Sequence, residues 1–364
     1  MMVLVGIAAA GLTFAICLFA VPVTTRMALR FGMMDVPGRH KAHRHPTPML
    51  GGCAIFAAIL LPSLLALSVA AVWSEQGPPA WLPDELAVHL PGAAAKAPQA
   101  VGIFACAFVL HVVGLIDDRK HLGPWLKLLG QAAVCSAAAM LLGVRILTVA
   151  GEALSILATV FWLMAVTNAF NFLDNMDGLS AGVAAICCAA LLGASASIGQ
   201  LFVSGWLCVL LGALAGFLPY NFPPARVFMG DAGSLVIGFL LGVVSCLTTY
   251  TRPGQTYYLY GMFVPLVLMA VPLYDMISVV TLRLRDRRSP MVGDRRHFSH
   301  RLMRRGMNQR TAVLTIYLCT AGTAIAASLL PHVDDIGAIL VFAQTIAILL
   351  MVALLESAGS KGGP

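Results

Sequence analysis

Residues 100–124 read "AVGIFACAFVLHVVGLIDDRKHLGP", an apolar run that ends at two adjacent carboxylates, Asp117 and Asp118. A helix needs about 20 mostly apolar residues to cross a membrane. Two like charges at its end repel each other unless one carboxyl keeps its proton or both lie near a cation. The stretch therefore predicts a transmembrane helix that ends at a polar site.

Composition extends the membrane interpretation to the whole chain. Of the 364 residues, 59% are hydrophobic and 11% are charged, whereas soluble domains are about 45–50% apolar and roughly 25% charged. The net charge of +7 comes without basic tracts interleaved with aromatic residues, which argues against a nucleic-acid partner. The nine cysteines lie in apolar runs without a C-x-x-C pair, as expected for residues that fill helix contacts.

Eleven apolar segments have the length and composition of membrane spans. We predict an all-α integral membrane protein, a polytopic helical bundle of about eleven transmembrane helices that forms a single domain over residues 1–364. Pro265 and Pro272 predict a kink in the ninth span. The predicted spans are residues 2–22, 50–72, 100–116, 125–143, 153–170, 180–198, 201–219, 233–250, 259–281, 311–330 and 336–355.

The basic residues separate by side when the loops alternate across the membrane. One side receives 20 of the 23 Lys and Arg residues. Cytoplasmic loops carry the excess of Lys and Arg, so this side is predicted to be cytoplasmic, with the N-terminus outside and the C-terminus inside. The 20 residues comprise five in 23–49, three in 117–127, one in 220–232, ten in 282–310 and one in the C-terminal tail.

The same side holds the unusual polar residues, in loops predicted at 23–49, 117–127, 167–182, 218–235 and 282–310. Five aspartates lie at the ends of apolar segments there: Asp117, Asp118, Asp174, Asp177 and Asp231. Ionisable residues at membrane depth are costly and by default indicate function. Mg²⁺ is usually held by one or two carboxylates and by substrate phosphates. The pattern predicts an enzyme at the membrane face that acts on phosphates with Mg²⁺.

Each feature also has an ordinary structural explanation. The Asp117–Asp118 pair could bind Arg119 or Lys120, and Asp231 could cap the helix that follows it. The "NMDG" run at 175–178 could be a plain turn, and the Arg-rich loop could serve topology or bind anionic lipid. The occurrence of all these features on one face favours a functional site.

Several ordered motifs carry a resemblance that covers roughly residues 30 to 310. They are "DVPGRHKAHRHPTPMLGG" (35–52), the Asp117–Asp118 pair, "TNAFNFLDNMDGLSAG" (167–182), "LPYNFPPARVFMGDAGSL" (218–235) and "HFSH" (297–300). The chain resembles the polyprenyl-phosphate N-acetylhexosamine-1-phosphate transferases and, more distantly, the phospho-MurNAc-pentapeptide translocases. Two positions depart from the family pattern: His40 replaces an Arg, and Ser299 replaces a His.

The resemblance implies a reaction and its partners. A UDP-sugar, with UDP-GlcNAc as the first expectation, gives its sugar-1-phosphate to undecaprenyl phosphate and releases UMP, which starts synthesis of a cell-envelope polysaccharide. The implied cofactor is Mg²⁺, with Mn²⁺ as an alternative. The implied location is the bacterial inner membrane, with the active site facing the cytoplasm and a homodimer as the assembly.

The resemblance also implies roles for individual residues. Asp231 is expected to be the principal Mg²⁺ ligand, with Asn171 and Asp118 as further ligands, and Asp118 is expected to be catalytic together with Asp117. Asp117 is expected to deprotonate or orient the lipid phosphate, although a covalent aspartyl-phosphate route stays open. The nucleotide-sugar is assigned to Asn171, Asp174, Asp177, Asn221, His297, His300 and Arg301, and the phosphates to Lys41, His43 and Lys127.

Two other function classes fit the sequence less well. A multi-pass transporter would place charges near the middle of the bilayer, and within the predicted spans only Asp275, near Pro272, does so. We interpret Asp275 as a structural or gating acid. The CDP-alcohol phosphatidyltransferases are disfavoured because their D-G-x-x-A-R core is absent, since "LSAG" follows Asp177–Gly178.

Overall fold

The computed structural model describes residues 1–36, 46–250, 259–289 and 296–357, and these residues are mainly helical. A two-stranded antiparallel hairpin pairs β1 (Met34–Asp35) with β2 (Thr47–Pro48). The helices are α1 (Met2–Phe31), α2 (Gly51–Gln76), α3 (Asp84–Ala87), α4 (Leu90–Lys120), α5 (Pro124–Leu141), α6 (Glu152–Leu173), α7 (Leu179–Ser197), α8 (Leu201–Asn221), α9 (Asp231–Leu247), α10 (Val264–Leu268), α11 (Ala270–Arg285), α12 (Phe298–Arg304), α13 (Gln309–Leu329) and α14 (Asp335–Ser357).

The prediction of an all-α polytopic membrane bundle is confirmed. Every predicted span coincides with a helix or with the α10–α11 pair. Among the described residues, nine helices are long and apolar enough to cross a membrane, or ten if the α10–α11 pair is one span. The remaining predicted span, 233–250, corresponds to α9, which has 17 residues. The count of eleven crossings and the orientation of the termini stay predictions.

The kink predicted in the ninth span is a sharp break. The axis of residues 260–268, which include α10, differs by 64° from that of α11 across Met269. Pro272 lies in the first turn of α11, where it cannot donate a hydrogen bond to the carbonyl of Leu268, so α10 ends there. Because of the break, α11 runs in a different direction from α10.

The helix ends at the polar face differ from the predicted loop boundaries. Helix α4 continues to Lys120, so Asp117 and Asp118 lie in its last turn rather than in a loop. Helix α6 includes Asn171, and α9 begins at Asp231 rather than at residue 233. The predicted loop 282–310 contains α12. Helical hydrogen bonds satisfy backbone groups inside the segment, so helices persist as far as the polar face.

Helix α9 is the central element of the bundle. It is buried without interruption from Ala232 to Ser245, and it packs against α2, α4 and α6. A helix that is apolar on every side is expected in such a position. Its N-terminus therefore lies where several other helices reach the same polar face.

Close backbone contacts fix the first turn of α9. A Cβ atom on Gly52 of α2 would overlap the backbone of Gly233, and one on Gly114 of α4 would overlap that of Ala232. The amide of Gly52 also donates to the Met229 carbonyl at 2.9 Å. Small residues allow helix backbones to approach this closely in membrane proteins. The start of α9 is thus clamped between α2 and α4.

Candidate active site

Four helices bring a cluster of polar side chains together at the start of α9. The Lys127 ammonium of α5 lies 3.1 Å from Asp117 Oδ2 of α4 and 3.2 Å from Asn171 Oδ1 of α6. It also makes a very short contact with Asp231 Oδ2 of α9. We call Asp117, Lys127, Asn171 and Asp231 the acid cluster. Two carboxylates and an amide oxygen thus converge on a single cation.

Asn171 orients Asp231 within this cluster. Its side-chain Nδ2 donates to Asp231 Oδ1 at 2.7 Å and to Ser234 Oγ at 2.9 Å. One turn earlier on α6, Asn168 Nδ2 donates to the buried Gln131 at 2.5 Å. The Asn171 amide therefore donates from its nitrogen to α9, and its oxygen accepts from Lys127. Because Asn171 binds Asp231 Oδ1, Asp231 Oδ2 faces Lys127.

Asp118 has a different partner from its neighbour. Its Oδ1 accepts the amide of Asp231 at 2.9 Å, and its Oδ2 accepts the amide of Ala232 at 3.2 Å. Consecutive residues of a helix point about 100° apart, so Asp117 can face Lys127 while Asp118 caps α9. A carboxylate is favourable at the positive end of a helix. The alternative in which Asp231 is itself the cap is wrong, because Asp231 is the first residue of α9 and Asp118 caps it from α4.

The polar turn between α6 and α7, residues 174–178, lies beside the cluster, and we call it the acid turn. Asp177 Oδ2 accepts the amide of Ala225 at 2.8 Å. Asn221 Oδ1 accepts the amide of Gly178 at 3.0 Å, and its Nδ2 donates to the Val227 carbonyl at 2.9 Å. These bonds fasten the turn to the segment between α8 and α9. In this structure Asp177 and Asn221 shape the turn.

Asp174 is the acid of this turn whose carboxylate accepts no hydrogen bond from the described residues. It follows the last residue of α6 and is half-buried. Burial raises the pKa of Asp174 well above its usual value, and the nearby carboxylates of Asp231, Asp118 and Asp177 add to the shift. Such a group gains from a ligand that donates hydrogen bonds to it.

Helix α12 lies against the acid turn from the other side. The ring of His297, at the start of α12, lies edge-on to Phe172 with centroids 5.8 Å apart, and 6.5 Å from the ring of His300. Ser299 Oγ bonds Asn175 Oδ1 at 2.5 Å. The histidine motif and the acid turn are therefore neighbours in space.

The guanidinium of Arg301, one turn after His297, binds residues of α14 and α11. Its Nη1 lies 3.1 Å from Glu356 Oε2 at the end of α14, and its Nη2 donates to Ser278 Oγ at 2.7 Å. The structure thus brings Asp117, Lys127, Asn171 and Asp231 together. It places His297 against Phe172, the residue after Asn171, and it pairs the Arg301 guanidinium with the end of α14. Lys41 and His43 lie outside the described residues.

Three residues at this site carry roles that sequence reasoning did not assign. Ser234 bonds the predicted site residue Asn171, and Asp275 bonds the predicted His297. Asn175 bonds Ser299, which lies beside the predicted His300. Ser234 follows Asp231 by three residues within "GDAGS", a spacing that places both on one helix face. Asn175 and Asp275 bind partners 124 and 22 residues away, which no local pattern reveals.

The donor set of the acid cluster suits a hard divalent cation. The oxygens of Asp117, Asn171 and Asp231 already surround the positive charge of Lys127. In the part of the chain that the structure describes, no group of three or more His, Cys, Asp or Glu side chains is arranged to hold a metal ion. Two carboxylates nevertheless match the protein share of a Mg²⁺ site that substrate phosphates complete.

Comparison with known proteins gives one family and several relatives. The sequence profile described as glycosyl transferase family 4 matches residues 100–249, a range that includes the whole acid cluster. The chain is 32% identical to a decaprenyl-phosphate N-acetylglucosaminephosphotransferase of Mycolicibacterium smegmatis, and the alignment covers 97% of this chain and 87% of that protein.

Two further relatives carry related names. A probable undecaprenyl-phosphate N-acetylglucosaminyl 1-phosphate transferase of Bacillus subtilis is 28% identical, with 83% of this chain and 78% of that protein covered. An undecaprenyl-phosphate alpha-N-acetylglucosaminyl 1-phosphate transferase of Escherichia coli K12 is 28% identical, with 81% and 76% covered.

Proposed function

This chain belongs to the polyprenyl-phosphate N-acetylhexosamine-1-phosphate transferases of glycosyl transferase family 4, and from that membership we propose its reaction. It transfers N-acetylglucosamine-1-phosphate from UDP-N-acetylglucosamine to undecaprenyl phosphate. An oxygen of the lipid phosphate attacks the sugar-bearing phosphorus, the bridging P–O bond breaks, and UMP leaves with the bridging oxygen. Cell-envelope polysaccharide synthesis starts from the lipid-linked product.

The acid cluster is the observation that carries this proposal. Phosphoryl transfer needs reactants in line and charges neutralised, and little covalent chemistry from the protein. Lys127 supplies a cation among the reacting phosphates. We assign to Asp117, on the membrane helix α4, the role of taking or holding the proton of the lipid phosphate. The cluster lies at the end of membrane helices, where a lipid headgroup and a soluble nucleotide can meet.

We propose Mg²⁺ as the cofactor, with Mn²⁺ as an alternative. Asp231 would hold it, with the Asn171 oxygen beside it. When bound, the ion would offset the charge that develops on the diphosphate. Asp118 serves this arrangement through its bonds to the first two amides of α9, which fix the position of Asp231.

The UDP-sugar is assigned to the surface between the acid turn and α12. Asp174 offers a carboxyl group that accepts no hydrogen bond from the described residues, and we assign it to the nucleotide. We assign His297 and His300, on the other side, to the sugar diphosphate. The distribution of Lys and Arg supports a cytoplasmic active site in the bacterial inner membrane, and the homodimer stays a proposal from the family.

A radiolabelled transfer assay tests the proposed function. The purified protein, in lipid nanodiscs with undecaprenyl phosphate and Mg²⁺, is given a panel of UDP-sugars. We expect release of UMP and a labelled lipid product from UDP-N-acetylglucosamine, and no release without lipid acceptor or with EDTA. A transporter would instead accumulate an intact nucleotide-sugar in proteoliposomes, and that result without UMP release would refute the transferase assignment.

A further inference from the structure

Asp275 is a buried acid for which the proposed reaction has no role. It lies in α11 and its exposed fraction is 1%. A carboxylate buried in an apolar helix is costly unless its oxygens are bonded. We propose that Asp275 is a positioning residue for the transfer reaction, acting through His297, and this inference rests on the proposed function.

Both oxygens of Asp275 bind one short segment. Oδ2 lies 2.8 Å from His297 Nδ1, and Oδ1 accepts the backbone amide of Phe298 at 2.7 Å. The ring of Tyr274, the preceding residue, lies edge-on to the buried ring of Phe298 with centroids 6.4 Å apart. Two neighbouring residues of α11 therefore hold the first two positions of the α12 segment.

The bond to Nδ1 sets the state of the His297 ring. Where Asp275 accepts this bond, Nδ1 carries the hydrogen and Nε2 is left for another partner. A carboxylate that fixes the tautomer and orientation of a histidine is a recurrent device in enzymes. Asp275 thus determines which nitrogen His297 offers.

The other contacts of α12 place this ring at the acid turn. His297 packs edge-on to Phe172, the residue after Asn171. Ser299 bonds Asn175, and Asn175 Nδ2 in turn donates to the Phe172 carbonyl at 2.7 Å. One chain of contacts therefore runs from Asp275 through His297 to the residues beside Asp174. A purely structural anchor on α11 would not need to bind the imidazole.

The Asp275→Asn variant separates a positioning role from a structural one. The asparagine keeps the size and can still accept the Phe298 amide, but its NH₂ group would face Nδ1 and favour the other tautomer. We expect kcat/KM for UDP-N-acetylglucosamine to fall about 10²-fold, with the KM for undecaprenyl phosphate and the Tm little changed. The control is Asp335→Asn at the start of α14. It makes the same chemical change at the residue that accepts a hydrogen bond from Tyr260.

A second variant keeps the test decisive if Asp275→Asn does not fold. His297→Gln should show the same loss of donor kcat/KM, and the double variant should be no worse than His297→Gln alone, because Asp275 acts through the ring. Activity of Asp275→Asn or His297→Gln within threefold of wild type overturns the inference. An inactive wild type overturns the proposed function together with it, whereas an active wild type with unaffected variants overturns this inference alone.

Discussion

The acid cluster and helix α12 are neighbours at one face but are held by different means. The cluster is built on the ends of α4, α5, α6 and α9, and glycine contacts clamp the backbone of α9. Helix α12 is seven residues long and is held by side-chain bonds to Asp275, Asn175 and Glu356. Backbone contacts suit the acid cluster to the chemistry of phosphates. Side-chain contacts suit α12 to recognition of the sugar.

Loss of the Asp117 carboxylate tests the chemical half of this comparison most severely. Asp117→Asn keeps the size but removes the base and one neutralising partner of Lys127. We expect kcat to fall about 10³-fold, while the KM for UDP-N-acetylglucosamine changes little. Steady-state UMP release measures both constants, with Asp84→Asn on α3 as the control.

The same variant addresses the covalent alternative. Direct attack by the lipid phosphate predicts no phosphorylated enzyme in single-turnover experiments with labelled donor. Direct attack would be contradicted if the wild-type protein became labelled without lipid acceptor and the Asp117→Asn variant did not.

The glycine clamp predicts the next largest effect. A methyl group on Gly114 would overlap the backbone of Ala232, so Gly114→Ala must shift the start of α9 and with it Asp231. A displacement of about 1 Å can cost about 10²-fold in rate. Gly130→Ala is the matched control, because its nearest contact would be an ordinary 3.7 Å to Val113. Equal activities of the two variants would contradict the clamp.

Much of the membrane fold could be predicted from hydropathy, because each span must satisfy its own backbone in lipid. Helix ends could not, since Asp117 and Asp118 look like loop residues until the helical bonds of α4 are seen to reach Lys120. The acids of the site were visible as charges at apolar ends. Their division of labour was not, because the cap that Asp118 makes on α9 joins residues 113 and 114 positions apart.

A smaller effect is expected at the boundary of the two regions. Asp174→Ala removes the carboxylate that accepts no hydrogen bond from the described residues, so it should weaken donor binding. We expect the KM for UDP-N-acetylglucosamine to rise about tenfold, equivalent to about 1.4 kcal/mol, with the KM for undecaprenyl phosphate unchanged. A larger change in the lipid KM than in the donor KM would count against the assignment of Asp174 to the nucleotide.

The smallest effect concerns α12 itself. Ser299→Ala removes one neutral hydrogen bond to Asn175, worth about 1 kcal/mol, so we expect a loss of about fivefold in donor kcat/KM. Ser328→Ala, on the exposed face of α13, is the control. A loss as large as that of Asp117→Asn would show that α12 is as integral to the chemistry as the acid cluster, and the comparison would fail.

The central claim is that Asp231 and its neighbours gather a cation and phosphate at the start of α9. Its most direct test is a Mg²⁺ titration of UMP release by wild type and Asp231→Asn, with folding checked by thermal unfolding. We predict that the wild type shows saturable Mg²⁺ dependence and that Asp231→Asn folds but shows no Mg²⁺-dependent turnover. Activity of Asp231→Asn within threefold of wild type, at the same Mg²⁺ midpoint, would contradict the account.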